Sequence, residues 1–383
     1  MAEILWLSLF FLLPAPPALD DKNEKDAVAA ALKSITKKKI FGVERAIDIP
    51  GAVFPSQEAI TEMEQGMEGC EHLWFDSCYG GAKLHYRKWL PKNKKPKGII
   101  LWLHGISAHS GRALVNHDGK QRKLGMALQC EEWVKAGYAL YAFDYYGHGY
   151  SEGIRWFVPR FEVNRDDIIT FTKLVAAQHD ENTPLILTAE SYGGCLALHV
   201  AKYFQENPGL KPKGFDSIIL QAPAIVPPDL PPKPVVMALV KMAEYYPTWI
   251  PFFMPNPVST SRIWKDEKVK EIIDSKERRE MLIEGGGRPY RLATAVSLLT
   301  AMEQVREDII PGLTVPFCVI HGEQDIAVPV AGTELLIERA SSPKSAVLRH
   351  PEAYHDLMAD PVAEETMKFM IDFVNGRVAS FGK

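Results

Sequence analysis

The sequence predicts a doubly wound α/β protein: a mostly parallel sheet flanked by helices and interrupted by a helical insertion. Three observations carry that expectation. Short β-branched or aromatic runs alternate with helical runs from Lys83 to Asn375. A serine wedged among small residues follows one of those apolar runs directly, in Leu185-Ile-Leu-Thr-Ala-Glu-Ser-Tyr-Gly-Gly194. The stretch from Ala222 to Tyr290 breaks the rhythm: it opens on Pro227-Pro-Asp-Leu-Pro-Pro-Lys-Pro234 and contains no convincing strand.

The size of the chain permits this architecture. With 383 residues and 46% hydrophobic composition it can bury one large core, or two modest ones, without a metal or disulfides. Lys+Arg 44 against Asp+Glu 48 leaves a net charge of -4, and no zinc-finger or RNP spacing occurs, so nucleic acid is not an expected partner. Of five scattered cysteines, Cys130, Cys195 and Cys318 lie in apolar periodic segments suited to buried free thiols. Only Cys70 and Cys78 are candidates to pair.

In chain order, Ile4 to Leu13 is an apolar run followed by Pro14-Ala-Pro-Pro-Ala18, similar to the core and cleavage zone of a secretory signal. Glu3 stands where a basic flank is usual, and the run is far shorter than the ~20 residues that span a bilayer. Residues 1–19 are therefore expected to be a signal peptide or shallow anchor, which places the chain at a membrane or in the secretory pathway, with the cytoplasm as the alternative. Residues 20–69 form an N-terminal extension. Within it, Val28, Leu32, Ile35 and Ile40 recur near helical spacing ahead of and across Lys37-Lys-Lys39, the pattern of a solvated helix end or of a basic surface for anionic lipid.

The core is expected over 70–222 and 291–376. Its strands are read at Leu84–Leu90, Gly98–Leu103, Leu140–Phe143, Leu185–Thr188, Ser217–Leu220 and Phe317–Ile320, with one more before His355. Helices are read at Arg122–Ala136, Asn164–Gln178, Gly194–Glu206, Ala331–Ala340 and Pro361–Asn375. Strand, helix, strand, helix implies parallel neighbours, with reactive groups in the crevice at the carboxyl ends of the strands. Residues 223–290 are expected to be the cap. Val235, Val236, Leu239, Val240, Met242, Tyr245, Trp249, Ile250, Phe252, Phe253 and Met254 are more apolar residues than one short helix needs. They form either the cap's own small core or a surface for substrate or membrane.

Ser191 is the candidate nucleophile. A serine between a strand and a helix sits on a sharp turn that thrusts its hydroxyl off the sheet, and the usual turn is Gly-x-Ser-x-Gly because both flanks crowd the backbone. Here Ala189 replaces the first glycine and Gly193 is kept. A serine hydroxyl needs a base to take its proton and a carboxylate to orient that base. Asp325, after the strand at Phe317–Ile320, and His355, in Pro351-Glu-Ala-Tyr-His-Asp-Leu357, stand just past strand ends, in the chain order Ser, Asp, His of an α/β-hydrolase fold. Glu323 and His350 are rivals. Asp325 and His355 are preferred because each lies further into its loop, where a side chain can turn toward Ser191. Donors for the oxyanion are expected from the backbone N–H groups of Ile106, in the loop after Leu103, and of Tyr192. Gly105 permits close approach there, while His104 braces the loop.

The segments His104-Gly-Ile-Ser-Ala-His-Ser-Gly-Arg112 and Asp144-Tyr-Tyr-Gly-His-Gly-Tyr-Ser-Glu-Gly153, with those around Ser191, Asp325 and His355, resemble the monoacylglycerol lipase and lysophospholipase group of serine α/β-hydrolases over roughly residues 70 to 376. Gly287-Arg-Pro-Tyr-Arg-Leu-Ala-Thr-Ala295 is more loosely similar to the plant-type branch. The resemblance implies hydrolysis of a glycerol ester with an amphiphilic cap guiding the acyl chain, a structural role for His148, no cofactor and no metal. The expected partner is a lipid ester, monoacylglycerol or lysophospholipid, with membrane contact through leader and cap. Hydrolysis and acyl transfer to an alcohol both fit, as does a binding protein on the same scaffold, against which the intact Ser191, Asp325 and His355 weigh.

Overall fold

The computed structural model describes residues 36–47, 56–92, 94–116, 122–228, 230–252, 254, 256, 258–275, 289–342 and 345–382. The leader, most of the run read as helical from Asn23, and part of the cap around Gly287 lie outside them. The chain is built on one eight-stranded sheet: β1 (Glu71–Asp76), β2 (Lys83–Trp89), β3 (Ile99–Leu103), β4 (Ala139–Phe143), β5 (Leu185–Glu190), β6 (Phe215–Gln221), β7 (Phe317–Gly322) and β8 (Ala346–His350). In space the order is β8-β7-β6-β5-β3-β4-β2-β1. Only β2 runs against its neighbours β1 and β4; the other pairings are parallel. This is the α/β-hydrolase fold.

Alternation along the central strands explains the two-sided core. Ile99, Leu101 and Leu103 of β3 join one apolar cluster with Leu185, Leu187 and Ala189 of β5, while Ile100, Trp102 and Ile186 join another on the opposite face. The first face is covered by α2 (Phe161–Ala176) and α3 (Ser191–Glu206), through Phe161, Phe171 and Leu196. The second is covered by α1 (Met126–Lys135) and α7 (Ala363–Ser380), through Trp133, Met367 and Met370. Two further helices, α5 (Leu292–Gln304) and α6 (Ala331–Arg339), complete the alternation.

Register decides where the site falls. Ala189 of β5 pairs with Leu103 of β3 and Leu220 of β6, and Gly322 at the end of β7 pairs with His350 at the end of β8. The loops carrying Ser191, His104, Asp325 and His355 therefore leave one rim of the sheet, at the carboxyl ends of the strands.

Several elements differ from expectation. Arg122–Gly125 is a strand paired with Ala113–Asn116, and the helix starts only at Met126, because Gly125 takes φ +60° and sends its N–H to Met358 O. Thr36–Ile40 is a strand, not a helix: it pairs with Val43–Ile47 across Phe41-Gly42, both at positive φ, the geometry of a tight hairpin turn. Strand β1 carries His72 and two acidic ends and gives little apolar signal. Helix α3 begins at Ser191, three residues before the expected Gly194. Cys70 and Cys78 do not pair: all five cysteines are free, and the Cys78 thiol donates toward Val163 O.

Between β6 and α5, the described residues form α4 (Lys233–Tyr245) and short helices at Thr260–Ile263 and Glu267–Ile273. Ala243, Met254 and Leu292 make a small core with Leu239 and Met242. Val236 is buried as well, whereas several aromatic residues face out: Phe252 is 96% exposed, Tyr245 70% and Trp249 44%. Arg291 fastens this region by donating to Arg155 O and to Thr248 O, at 2.8 and 2.5 Å.

Candidate active site

Ser191 has φ +52°, a conformation that costs a residue with a Cβ and that the surrounding structure must enforce. The enforcement is visible at Gly193. A Cβ there would stand 2.5 Å from Leu103 O and 2.7 Å from His104 O, so the first turn of α3 lies directly on the end of β3. Ser191 is 7% exposed, and its carbonyl accepts the Ala224 N–H at 2.9 Å. Ala189, where a glycine is usual, is fully buried inside β5 with its methyl part of the core.

Asp325 and His355 come together. Asp325 Oδ2 accepts from His355 Nδ1 at 2.6 Å, and Oδ1 accepts the N–H groups of Ala327 and Val328 at 2.8 and 2.9 Å. Burial opposes the charge on Asp325, but the His355 charge and the bonds from His321 and His355 hold its carboxyl well below the ordinary range. His355 shifts the other way: burial would lower it, and the charge and hydrogen bond of Asp325, then Glu190 and Asp356, raise it above 6.5. The rivals are placed elsewhere. Glu323 is exposed, and His350 Nε2 lies 2.8 Å from Thr366 Oγ1 on α7.

His104 braces its loop. Its Nε2 accepts the Tyr145 N–H at 3.1 Å, so Nδ1 carries the proton and donates to Gly105 O at 2.7 Å. Gly105 stands so close to the elbow that a Cβ would be 3.2 Å from Ser191 Cβ. This brings Ile106, the next residue, beside the first turn of α3, where Tyr192 N–H has no intrahelical acceptor. His148 is fully buried and donates from Nδ1 to Tyr146 O at 2.8 Å.

Sequence reading passed over His321 and Asp144. His321 Nε2 lies 3.1 Å from Asp325 Oδ2, with Thr333 Oγ1 2.6 Å from its Nδ1, so it steadies the carboxylate from behind. The signal was a histidine closing β7, four residues before the aspartate. Asp144, wholly buried, accepts the N–H groups of Ser110 and Tyr150 at 2.6 and 3.0 Å and bonds His85 Nδ1 at 2.9 Å, tying the His104–Arg112 loop to the turn after β4.

The arrangement suits acyl transfer: a strained serine at a helix start, a buried imidazole whose Nδ1 is engaged by a carboxylate, and a glycine loop against the elbow. The pattern of the family described as serine aminopeptidase, S33, matches residues 94–362, well over half of the chain. The chain is 26% identical over 301 residues to a monoacylglycerol lipase from Mycolicibacterium smegmatis, covering 79% of this chain and 94% of that one. It is 27% identical over 334 residues to caffeoylshikimate esterase from Arabidopsis thaliana, covering 86% and 91%. Among solved structures, a soluble variant of monoglyceride lipase from Saccharomyces cerevisiae, in complex with a substrate analog, superposes with a TM-score of 0.63 at 17% identity, covering 85% of this chain and 99% of that one.

Proposed function

The chain belongs to the serine aminopeptidase S33 family of α/β-hydrolases and is a hydrolase, and from that premise we propose that it cleaves monoacylglycerol to fatty acid and glycerol through an acyl-enzyme on Ser191. The observation that carries the chemistry is the 2.6 Å contact between Asp325 Oδ2 and His355 Nδ1. It engages one ring nitrogen and leaves Nε2 as the base.

In the proposed reaction, Ser191 Oγ loses its proton to His355 Nε2 and attacks the ester carbonyl. Asp325 stabilises the imidazolium, and the N–H groups of Ile106 and Tyr192 donate to the oxyanion. Collapse expels glycerol as His355 returns the proton to its oxygen. Water, deprotonated by His355, then releases the fatty acid and restores Ser191. The lipid assignment draws on the relatives named as monoacylglycerol lipases and on the exposed aromatic face of the cap, Tyr245, Tyr246, Trp249 and Phe252, a surface suited to lipid. No helix among the described residues is long and apolar enough to cross a membrane, so membrane contact would fall to the cap and to the leader.

Labelling by a fluorophosphonate, lost together with ester turnover in Ser191→Ala, tests the mechanism; retained turnover overturns it. Rates on monoacylglycerol, lysophosphatidylcholine, a hydroxycinnamate ester and a soluble short-chain ester test the substrate. Preference for any of the last three overturns the monoacylglycerol reading.

A further inference from the structure

Two carboxylates flank the catalytic pair in sequence, and neither has a role in the mechanism above. Glu190 immediately precedes Ser191, and Asp356 immediately follows His355. Glu190 Oε1 accepts the Gly105 N–H at 3.2 Å. A Cβ on Gly105 would meet that oxygen at 3.5 Å and Ser191 Oγ at 3.7 Å, so carboxylate, nucleophile and glycine loop converge on one point. Asp356 Oδ2 accepts from Arg112 Nη1 at 2.9 Å and from Trp264 Nε1 at 2.8 Å. Arg112 ends the glycine loop's own segment, and its guanidinium also lies 5.4 Å from the Trp264 ring. Arg112 is thus ion-paired with the carboxylate of the histidine's loop, and its charge also acts on Glu190 at the end of the nucleophile's strand.

We propose that Glu190 is a positioning residue: it pins the His104–Gly105 peptide, the unit just before the one that carries the Ile106 N–H, against the elbow and adds negative charge to the surroundings of His355. The inference rests on the serine-hydrolase reading and extends it.

The geometry separates two effects. The first is hydrogen-bonding: Glu190 accepts the Gly105 N–H and so fixes the His104–Gly105 peptide, while the next peptide, which presents the Ile106 N–H, has its carbonyl held by His104 Nδ1, so the two bonds together set the path of the loop. Either a carboxylate or an amide oxygen at position 190 can accept the Gly105 N–H. The second is electrostatic and needs the charge. His355 is faced by Asp325 from the loop after β7, by Glu190 from the end of β5 and by Asp356 from its own loop, and Arg112 acts on both Glu190 and Asp356. Burial pushes the Glu190 carboxyl up, and Arg112 opposes that shift. When His355 takes the serine proton, the Glu190 charge favours the imidazolium.

The test compares Glu190→Ala with the isosteric Glu190→Gln on a soluble short-chain ester, following kcat, KM and the pH dependence of kcat/KM. Glu190→Ala should lower kcat about 10- to 100-fold with KM little changed, since it frees the peptide that leads into the Ile106 N–H, a donor used in the transition state. Glu190→Gln should recover most of that loss and move the acid limb of kcat/KM to lower pH. The inference is overturned if Glu190→Gln leaves the acid limb where the wild type has it, or if both variants keep the wild-type kcat. Should Glu190→Ala fail to fold, the acid limb of Glu190→Gln still decides. Fluorophosphonate labelling of the wild type separates the two levels: without it the serine-hydrolase reading fails too, and with it only the Glu190 assignment is at stake.

Discussion

Asp325 holds His355 by a single 2.6 Å hydrogen bond at Nδ1, and the same Oδ2 is held from behind by His321. An amide at position 325 would present an NH₂ group to one of these histidines and force His355 into the tautomer with its proton on Nε2. Asp325→Asn should therefore lower kcat by about 10³- to 10⁴-fold with the fold intact. His321→Ala leaves the His355 bond and the two N–H bonds to Oδ1 in place but removes one partner of Oδ2 and strands Thr333 Oγ1, so a smaller kinetic loss is expected, with stability reduced by about 1–3 kcal/mol. Stopped assays on a short-chain ester and urea titration measure both. A loss under tenfold in Asp325→Asn would contradict the assigned tautomer.

The pH dependence follows from opposite shifts on one pair. His355 must be neutral to accept the serine proton, and its proton affinity is raised above 6.5, so kcat/KM should fall with an acid limb above that value. For stability, the raised His355 contributes fully below 6.5 and loses its contribution as pH rises through the raised value. The depressed Asp325 contributes above 3.8 and loses its contribution as pH falls toward the depressed value. Tm against pH should show both slopes. In Asp325→Asn the acid limb should move to lower pH.

Much of this site was legible because catalysis constrains chain order and loop placement. Ser191, Asp325 and His355 each follow the end of a strand, and the parallel register puts those ends on one rim. What escaped was tertiary in origin. His321 is itself oriented by Thr333, 12 residues away, and Asp144 acts on Ser110, 34 residues away, so the four-residue spacing of His321 to Asp325 was the only local trace of either role. The hairpin at Arg122–Gly125 looked helical because Leu124 and Met126 both feed the core, and only Gly125 at positive φ divides strand from helix. The Cys70–Cys78 pairing failed for a similar reason: the strand between them carries the two thiols to opposite ends of β1, near separate partners.

The cap supplies a prediction that separates interfacial from chemical effects. Phe252 and Trp249 are exposed and take no part in the small core of Ala243, Met254 and Leu292. Replacing both with serine should leave turnover of a dissolved short-chain ester within about twofold, because exposed substitutions seldom alter stability. On monoacylglycerol in vesicles or emulsion the rate should drop, with the loss recovered in detergent micelles. Vesicle co-sedimentation should weaken in parallel. Equal rates on both substrate forms would remove the cap from any role at a lipid surface.

The elbow itself gives the sharpest contrast between two neighbouring small residues. Gly193→Ala would put a methyl 2.5 Å from Leu103 O and 2.7 Å from His104 O, on the last residue of a strand paired on both sides, which cannot retreat. The helix start must move instead, taking the Tyr192 N–H with it, so loss of both stability and kcat is expected. Ala189→Gly should behave differently. Its methyl already packs in the core, so removal sacrifices about 0.8 kcal/mol of burial and adds about 0.5–1 kcal/mol of backbone entropy cost. That variant should unfold at lower urea yet retain kcat within a few-fold, because nothing in the Ser191 turn depends on a glycine at 189. Measured together, the two variants distinguish a turn set by close backbone approach at 193 from one that needs both glycines. A large kcat gain in Ala189→Gly would mean the alanine strains the nucleophile after all.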